Sequence, residues 1–145
     1  MRRDIFEIIE EVRRNEMAFS IATNGTLVTP EAAARLKELN CAFVQVSLDG
    51  ATAQTHDSFR EAKSFGATLE GIRNLATTGI QFGIAATTTK HNISEISYLV
   101  DKAEKLGTSC SCPITSFQTA WEPPSTRKNQ VEAARGTLEQ VGRAD

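Results

Sequence analysis

Two short stretches carry the residues best suited to chemistry: SLDG, from Ser47 to Gly50, and THDSFR, from Thr55 to Arg60. On a strand, Ser47 and Asp49 flank Leu48 and so point the same way. A hydroxyl that donates and accepts, beside a carboxylate, suits a polyhydroxylated ligand such as a ribose. The same residues also suit a plain turn, since Asp-Gly is a common turn pair and Ser ends strands routinely. His56 next to Asp57 suggests acid–base work. No nucleophile stands beside them, however, and a helix-capping or turn role is the simpler account. Arg60 could clamp a carboxylate in bidentate fashion; taken singly, a surface arginine is the simpler reading. Thr23 and Asn24 in ATNG, and Thr87 in ATTTKHN, complete the candidates. No G-x-G-x-x-G, Walker or G-x-S-x-G sequence occurs.

The elements that must position these residues follow from hydrophobic periodicity. Asp4 can cap a helix whose Ile5, Ile8, Ile9 and Val12 share a face. MAFSIAT reads as a buried strand ended by Asn24-Gly25. Thr29-Pro30 is an N-cap with proline at the first helical position, opening EAAARLKEL. CAFVQVSL reads as the second strand, and a helical turn is expected near His56 to Arg60. TLEGIRNLATTG is a helix stopped by Gly79, and IQFGIAATTT is the third strand. Asn92 with Glu95 has capping-box spacing and opens a helix carrying Ile96, Leu99, Val100, Ala103 and Leu106. Strands alternating with helices at this spacing predict an α/β fold of about three parallel strands joined by right-handed crossovers. Chemistry in such sheets sits at the C-terminal strand ends. All three ends here are polar.

Composition narrows the class. The chain has 145 residues, enough for one ordinary domain, with a net charge of −2 that gives no strong attraction to nucleic acid or to an acidic membrane. No apolar run is long enough to cross a bilayer, and the N-terminus reads as an amphipathic helix rather than a signal peptide. The expected location is the cytoplasm. Three cysteines, Cys41, Cys110 and Cys112, argue against a disulfide framework. The C-x-C pair is too close for the usual zinc spacing. Cys41 reads as a small buried hydrophobe.

Taken together, DIFEIIEEV, FSIATNGTLVTPEAAARLKEL, FVQVSLDGATAQTHDSFR, TLEGIRNL and GIAATTTKHNISEI resemble the radical SAM superfamily. The likeness is nearest to the branch with auxiliary-cluster (SPASM-type) domains, which includes haem-biosynthesis enzymes and peptide maturases. It covers Arg2 to Gly107. The resemblance implies a partial (β/α) barrel, a [4Fe–4S] cluster and S-adenosylmethionine, whose cleavage gives a radical that abstracts hydrogen from a substrate. It implies that Ser47 and Arg60 contact the ribose or methionyl end of the cofactor, with Thr23, Asn24 and Asp49 at strand ends near it and Thr87 a further match. The substrate, a small molecule or a peptide, is not implied.

The chain departs from the family pattern in two places. It has no C-x-x-x-C-x-x-C for the cluster and no Gly-Gly-Glu segment before RRDIFEII. Met1 therefore reads as a start inside a longer frame, or as a gene that has lost its first strand and loop. From Thr108 the patterning stops. Reading the codons of Thr108 to Glu122 one base earlier turns TSCSC into a largely apolar run. That run is followed by a string compatible, except at its Thr, with the H-F-I-P-T-G-x-G of the auxiliary-cluster branch. Residues 1–107 are thus expected to be barrel, and 108–145 a non-family tail produced by a frameshift. On this reading the chain alone is not catalytic. The alternatives are a non-catalytic α/β binding module, or a half-enzyme complemented by another chain. Unpaired sheet edges would favour self-association or such a complementing chain.

Overall fold

The computed structural model describes residues 4–60, 63–89 and 91–111. The expectations for Arg2, Arg3, Lys90, Cys112 and the rest of the tail lie outside the described residues. Among the described residues, five helices and four strands follow in the order α1 (Ile5–Arg14), β1 (Ser20–Thr23), α2 (Pro30–Glu38), β2 (Phe43–Ser47), α3 (Ala53–Ser58), α4 (Phe65–Thr78), β3 (Phe82–Ala85), α5 (Ile96–Lys105) and β4 (Ser109–Ser111). A single 3-10 turn, Ile93–Glu95, leads into α5.

Several helix boundaries follow the expected local chemistry. Thr29 Oγ1 accepts the Ala32 amide at 3.2 Å, with Pro30 at the first position of α2. Gly79 ends α4 with φ 66°, a left-handed conformation that glycine adopts without a Cβ penalty. Arg13 and Arg14 close the last turn of α1, where they complement the helix dipole. The capping box at Asn92 does not form. Asn92 makes no side-chain cap, and Glu95 reaches away from its own helix. Both side chains have stronger engagements at the strand tips, described below.

The strands are all parallel and lie in the order β1-β2-β3-β4, without reversal. The three expected strands are present. A fourth, three residues long, pairs Ser109–Ser111 with Gly83–Ala85 although its sequence has no apolar pattern. Gly107, at φ 67°, turns the chain out of α5, and the Thr108 hydroxyl donates to Phe82 O. Backbone pairing alone carries the ladder from there.

The expectation that the first strand is buried needs correction. Val44, Val46 and Leu48 of β2 and its tip are buried, and so are Phe82, Ile84 and Ala86 of β3 and its tip. Together with Ile9, Ala33, Leu36, Ile72, Leu75, Leu99 and Val100 they form one core. The helices thus share one face of the sheet. On the other face Ser20, Ala22 and Gln45 are exposed, Phe43, Ser47 and Ala85 are half-buried, and Gly83 is buried. β1 is an edge with no buried residue. An unreversed order with helices on one side is the winding of a (β/α) barrel; a doubly wound sheet reverses its order at a switch point.

Gly71 of α4 packs against the Asn24–Gly25 turn so closely that a Cβ there would overlap Gly25 O, whereas a Cβ on Gly66 of the same helix meets nothing within 4 Å. Gly71→Ala should therefore destabilise the chain by about 1–3 kcal/mol through overpacking. Gly66→Ala should be neutral or stabilise by up to about 1 kcal/mol, because it only restricts the unfolded chain. Urea midpoints of the two variants check this pair, and equal effects would contradict it.

Candidate functional site at the strand tips

The C-terminal ends of β2 and β3 are tied together around Asp49. This residue is 2% exposed. Its Oδ1 accepts the Thr87 amide at 2.9 Å, and its Oδ2 accepts Arg60 Nε at 3.0 Å together with Arg60 Nη2. Its carbonyl accepts Asn92 Nδ2 at 2.7 Å. Asn92, fully buried, also donates to Thr87 O at 2.9 Å and accepts the Thr89 amide at 2.7 Å. Asp49 thus turns into the protein, while Ser47 stays on the open face. Both carboxylate oxygens are engaged, so Asp49 acts by fixing Arg60 and the Thr87 backbone.

The His-Asp pair is used structurally. The Asp49 amide can only donate, so His56 Nδ1, 3.1 Å away, must accept. The proton therefore sits on Nε2, which donates to Ser64 Oγ at 3.1 Å. Asp57 Oδ1 accepts the Ser64 and Phe65 amides at 2.9 and 3.0 Å, which caps α4 from a distance in sequence. Glu95 Oε2 accepts the Ala51 amide, and its Oε1 accepts the Thr55 hydroxyl, both at 2.5 Å. Gly50 has no room for a side chain, since a Cβ would stand 2.7 Å from the His56 amide nitrogen.

Each candidate residue can now be placed. Thr23 Oγ1 accepts the Gly25 amide at 3.1 Å, and Asn24 Oδ1 accepts the Thr26 amide and hydroxyl at 3.2 and 2.9 Å. These bonds build the β1 turn and leave Asn24 Nδ2 without a described partner. The Ser47 and Thr87 hydroxyls make no hydrogen bond to any described residue. Ser47 pairs with Ala85 in the ladder. Thr87, exposed between buried Ala86 and Thr88, continues the Ala85 face. Arg60, one-third exposed, keeps Nη1 clear of the Asp49 contact. The unspent capacity at this edge is two hydroxyls, an amide donor and a guanidinium donor, a set that matches the hydroxyls and carboxylate of a polar ligand. Asn92, Glu95 and Ser64 were not expected at the tips. Their partners lie up to 44 residues away in sequence, and no local pattern signals such a bond.

A sequence model of the Radical SAM superfamily matches residues 1–103. The chain belongs to the Radical SAM superfamily. It is 40% identical over 106 residues to the Fe-coproporphyrin III synthase of Methanosarcina barkeri, covering 72% of this chain and 26% of that protein. It is 39% identical over 107 residues to the AdoMet-dependent heme synthase of the same organism, covering 73% and 31%. It is 34% identical over 108 residues to the mycofactocin maturase MftC of Mycobacterium ulcerans, covering 74% and 29%. The fold is similar to that of Streptococcus suis SuiB bound to S-adenosylmethionine, with a TM-score of 0.70 at 16% identity, covering 97% of this chain and 33% of SuiB. The chain therefore spans about a third or less of the relatives it matches. The radical SAM family implies S-adenosylmethionine and an iron–sulfur cluster.

The two cofactors fit this chain unequally. The tip donors suit the hydroxyls and carboxylate of S-adenosylmethionine. The cluster finds no ligand set among the described residues. Among the described residues, no group of three or more His, Cys, Asp and Glu is placed to hold a metal. Cys41 lies just before β2, at the end away from the tips, buried with its Sγ 3.4 Å from Phe43 O. Burial pushes its thiol pKa up, away from the thiolate that metal binding needs. Among the described residues, no helix is long and apolar enough to cross a membrane.

His56 gives a pH prediction. Burial lowers its pKa below 6.5, against the raising influence of Asp49, with Arg60 lowering it further and Asp57 raising it. Above pH 6.5 it is neutral in both folded and unfolded chains, and its contribution to stability is complete. As the pH falls below 6.5, the unfolded chain takes up a proton that the folded site refuses, and stability is lost. Urea midpoints should therefore decline between pH 7 and pH 5 in the parent chain. They should decline less in His56→Gln, which keeps an acceptor and a donor without titrating.

Proposed function

We propose that this chain is the cofactor-cradling part of a radical SAM enzyme. It holds the ribose and methionyl ends of S-adenosylmethionine against the tips of β1 to β3, in the cytoplasm. Ser47 and Thr87 would meet ribose hydroxyls. Arg60, fixed by Asp49, would meet the methionyl carboxylate, while Asn24 and Thr23 would border the cofactor from β1. The observation that carries this reading is the pair of hydroxyls without a partner among the described residues at adjacent strand tips, together with an arginine anchored by a buried carboxylate. Bound to a reduced iron–sulfur cluster, S-adenosylmethionine supplies radical chemistry. This chain's own residues bind and orient the cofactor, and ligands for the cluster would come from elsewhere. Alone, the chain would therefore bind without catalysing. The family match over residues 1–103 favours this reading over a free-standing binding module.

Equilibrium dialysis of the 145-residue chain should show saturable binding of S-adenosylmethionine. Ser47→Ala and Thr87→Val should each weaken it by about 0.5–1.5 kcal/mol, up to roughly tenfold. Absence of binding, or variants that bind like the parent, would remove the cradle. Anaerobic treatment with iron and sulfide should leave the chain colourless, and a brown product with a cluster spectrum would show that the chain ligates iron itself.

A further inference from the structure

We propose that Asn92 is a positioning residue for ribose recognition at the strand tips, its side-chain amide fixing how far apart the Ser47 and Thr87 hydroxyls stand. This role rests on the reading of the tips as a cradle for S-adenosylmethionine. It adds to that reading a residue that governs the cradle's selectivity without touching the ligand.

The need for such a residue follows from where the β2–β3 ladder stops. Ser47 pairs with Ala85, and the Leu48 amide donates to Ala85 O at 2.9 Å. Thr87 lies beyond that pair. The Asp49 amide turns to His56, and the Thr87 amide turns to the Asp49 carboxylate, so neither amide continues the ladder. Backbone pairing sets the place of Ser47 but no longer that of Thr87. It also leaves the carbonyls of Asp49 and Thr87 in need of donors.

Asn92 supplies both. A primary amide carries two N–H donors and an acceptor oxygen. Asn92 Nδ2 donates to Asp49 O at 2.7 Å and to Thr87 O at 2.9 Å, which spans the gap between the tips. Its Oδ1 accepts the Thr89 amide at 2.7 Å, and its own backbone amide donates to Thr89 O at 3.2 Å, so the bridge is built into the turn after β3. Glu95 anchors the same segment to the Ala51 amide and the Thr55 hydroxyl. Asn92 is fully buried, with both Nδ2 donors spent on protein carbonyls, so it acts through the tips it joins. A hydroxyl has one proton and could serve one carbonyl at most. A carboxylate has no N–H and would set a further oxygen against both.

The bridge is separable from the grip on Arg60. That guanidinium is held by Asp49 Oδ2, whereas Asn92 bonds the Asp49 carbonyl. Losing the Asn92 amide should therefore free the spacing of the two hydroxyls and leave the methionyl end of the ligand held. The effect is one of selectivity, which general loosening of the fold would not produce.

Equilibrium dialysis of the full 145-residue chain should compare S-adenosylmethionine with its 2′,3′-dideoxy analogue, which lacks both ribose hydroxyls. The parent should prefer S-adenosylmethionine by about tenfold, as two modest hydrogen bonds allow. In Asn92→Ala the preference should fall below about threefold, while affinity for the analogue stays within about twofold of the parent's. Asn74→Ala is the comparison: Asn74 Nδ2 donates to Val28 O at 2.8 Å from α4, so the variant removes the same kind of brace elsewhere and should keep the parent's preference. Where Asn92→Ala does not fold, Asn92→Ser should show the same change, and in the parent both Asn92 Nδ2 protons should be protected from exchange by NMR. Freely exchanging Nδ2 protons overturn the role of Asn92. So does an Asn92 variant that keeps the parent's preference, or one that loses affinity for both ligands alike; in each of these cases the cradle stands. A parent that binds neither ligand, or both equally, removes the cradle and the role together.

Discussion

The structure depends on keeping the buried Asp49 carboxylate satisfied. A carboxylate nearly sealed from water is costly unless each oxygen has a donor. Here one oxygen takes a backbone amide from beyond β3, and the other takes two nitrogens of Arg60. The first contact joins the tips of two strands. The second ties the tip of β2 to the residues after α3. Asn92 bridges the carbonyls of Asp49 and Thr87 from the other side, so the β2–β3 corner is held by backbone and side chain together. Gly50 makes this possible, because a side chain there would collide with α3.

This corner divides the polar residues into two sets with different work. Asp49, His56, Asp57, Asn92 and Glu95 spend their hydrogen-bonding capacity on the protein. Among the described residues, Ser47, Thr87, part of Asn24 and part of Arg60 do not. The division matters because a group already saturated by the protein can position a neighbour but offers little to a ligand. It also explains why a histidine beside an aspartate is no acid–base pair here. The ring is held neutral in one tautomer by an amide that can only donate, and the aspartate caps a helix.

Much of the fold was legible in the sequence because it rests on local rules. Thr29-Pro30, Gly79 and the apolar faces of α2, α4 and α5 signal themselves within a turn or two. The (β/α) alternation follows from them, and the SLDG and THDSFR stretches marked the right corner. What was not legible is non-local. Asn92 and Glu95 have capping-box spacing, yet the free energy of satisfying buried groups 40 residues away outweighs a local cap. Alternation suggested that Asp49 faces out with Ser47, but the strand ends at Ser47, and past that point the period of two no longer governs. β4 was missed because a short strand held by backbone pairing needs no hydrophobic pattern. The bare face of the sheet was missed because apolar runs such as FVQV look alike whether one face is covered or both.

The one-sided sheet also limits what the tips can accomplish. Hydroxyls and a guanidinium on the rim of a four-stranded wall can hold the polar end of a ligand. They cannot surround it, and the same groups are worth far less in water than in a closed, low-dielectric site. Radical chemistry adds a stricter demand, since a reactive intermediate must be kept from solvent and from unintended hydrogen donors. The described four-stranded wall does not meet that demand by itself.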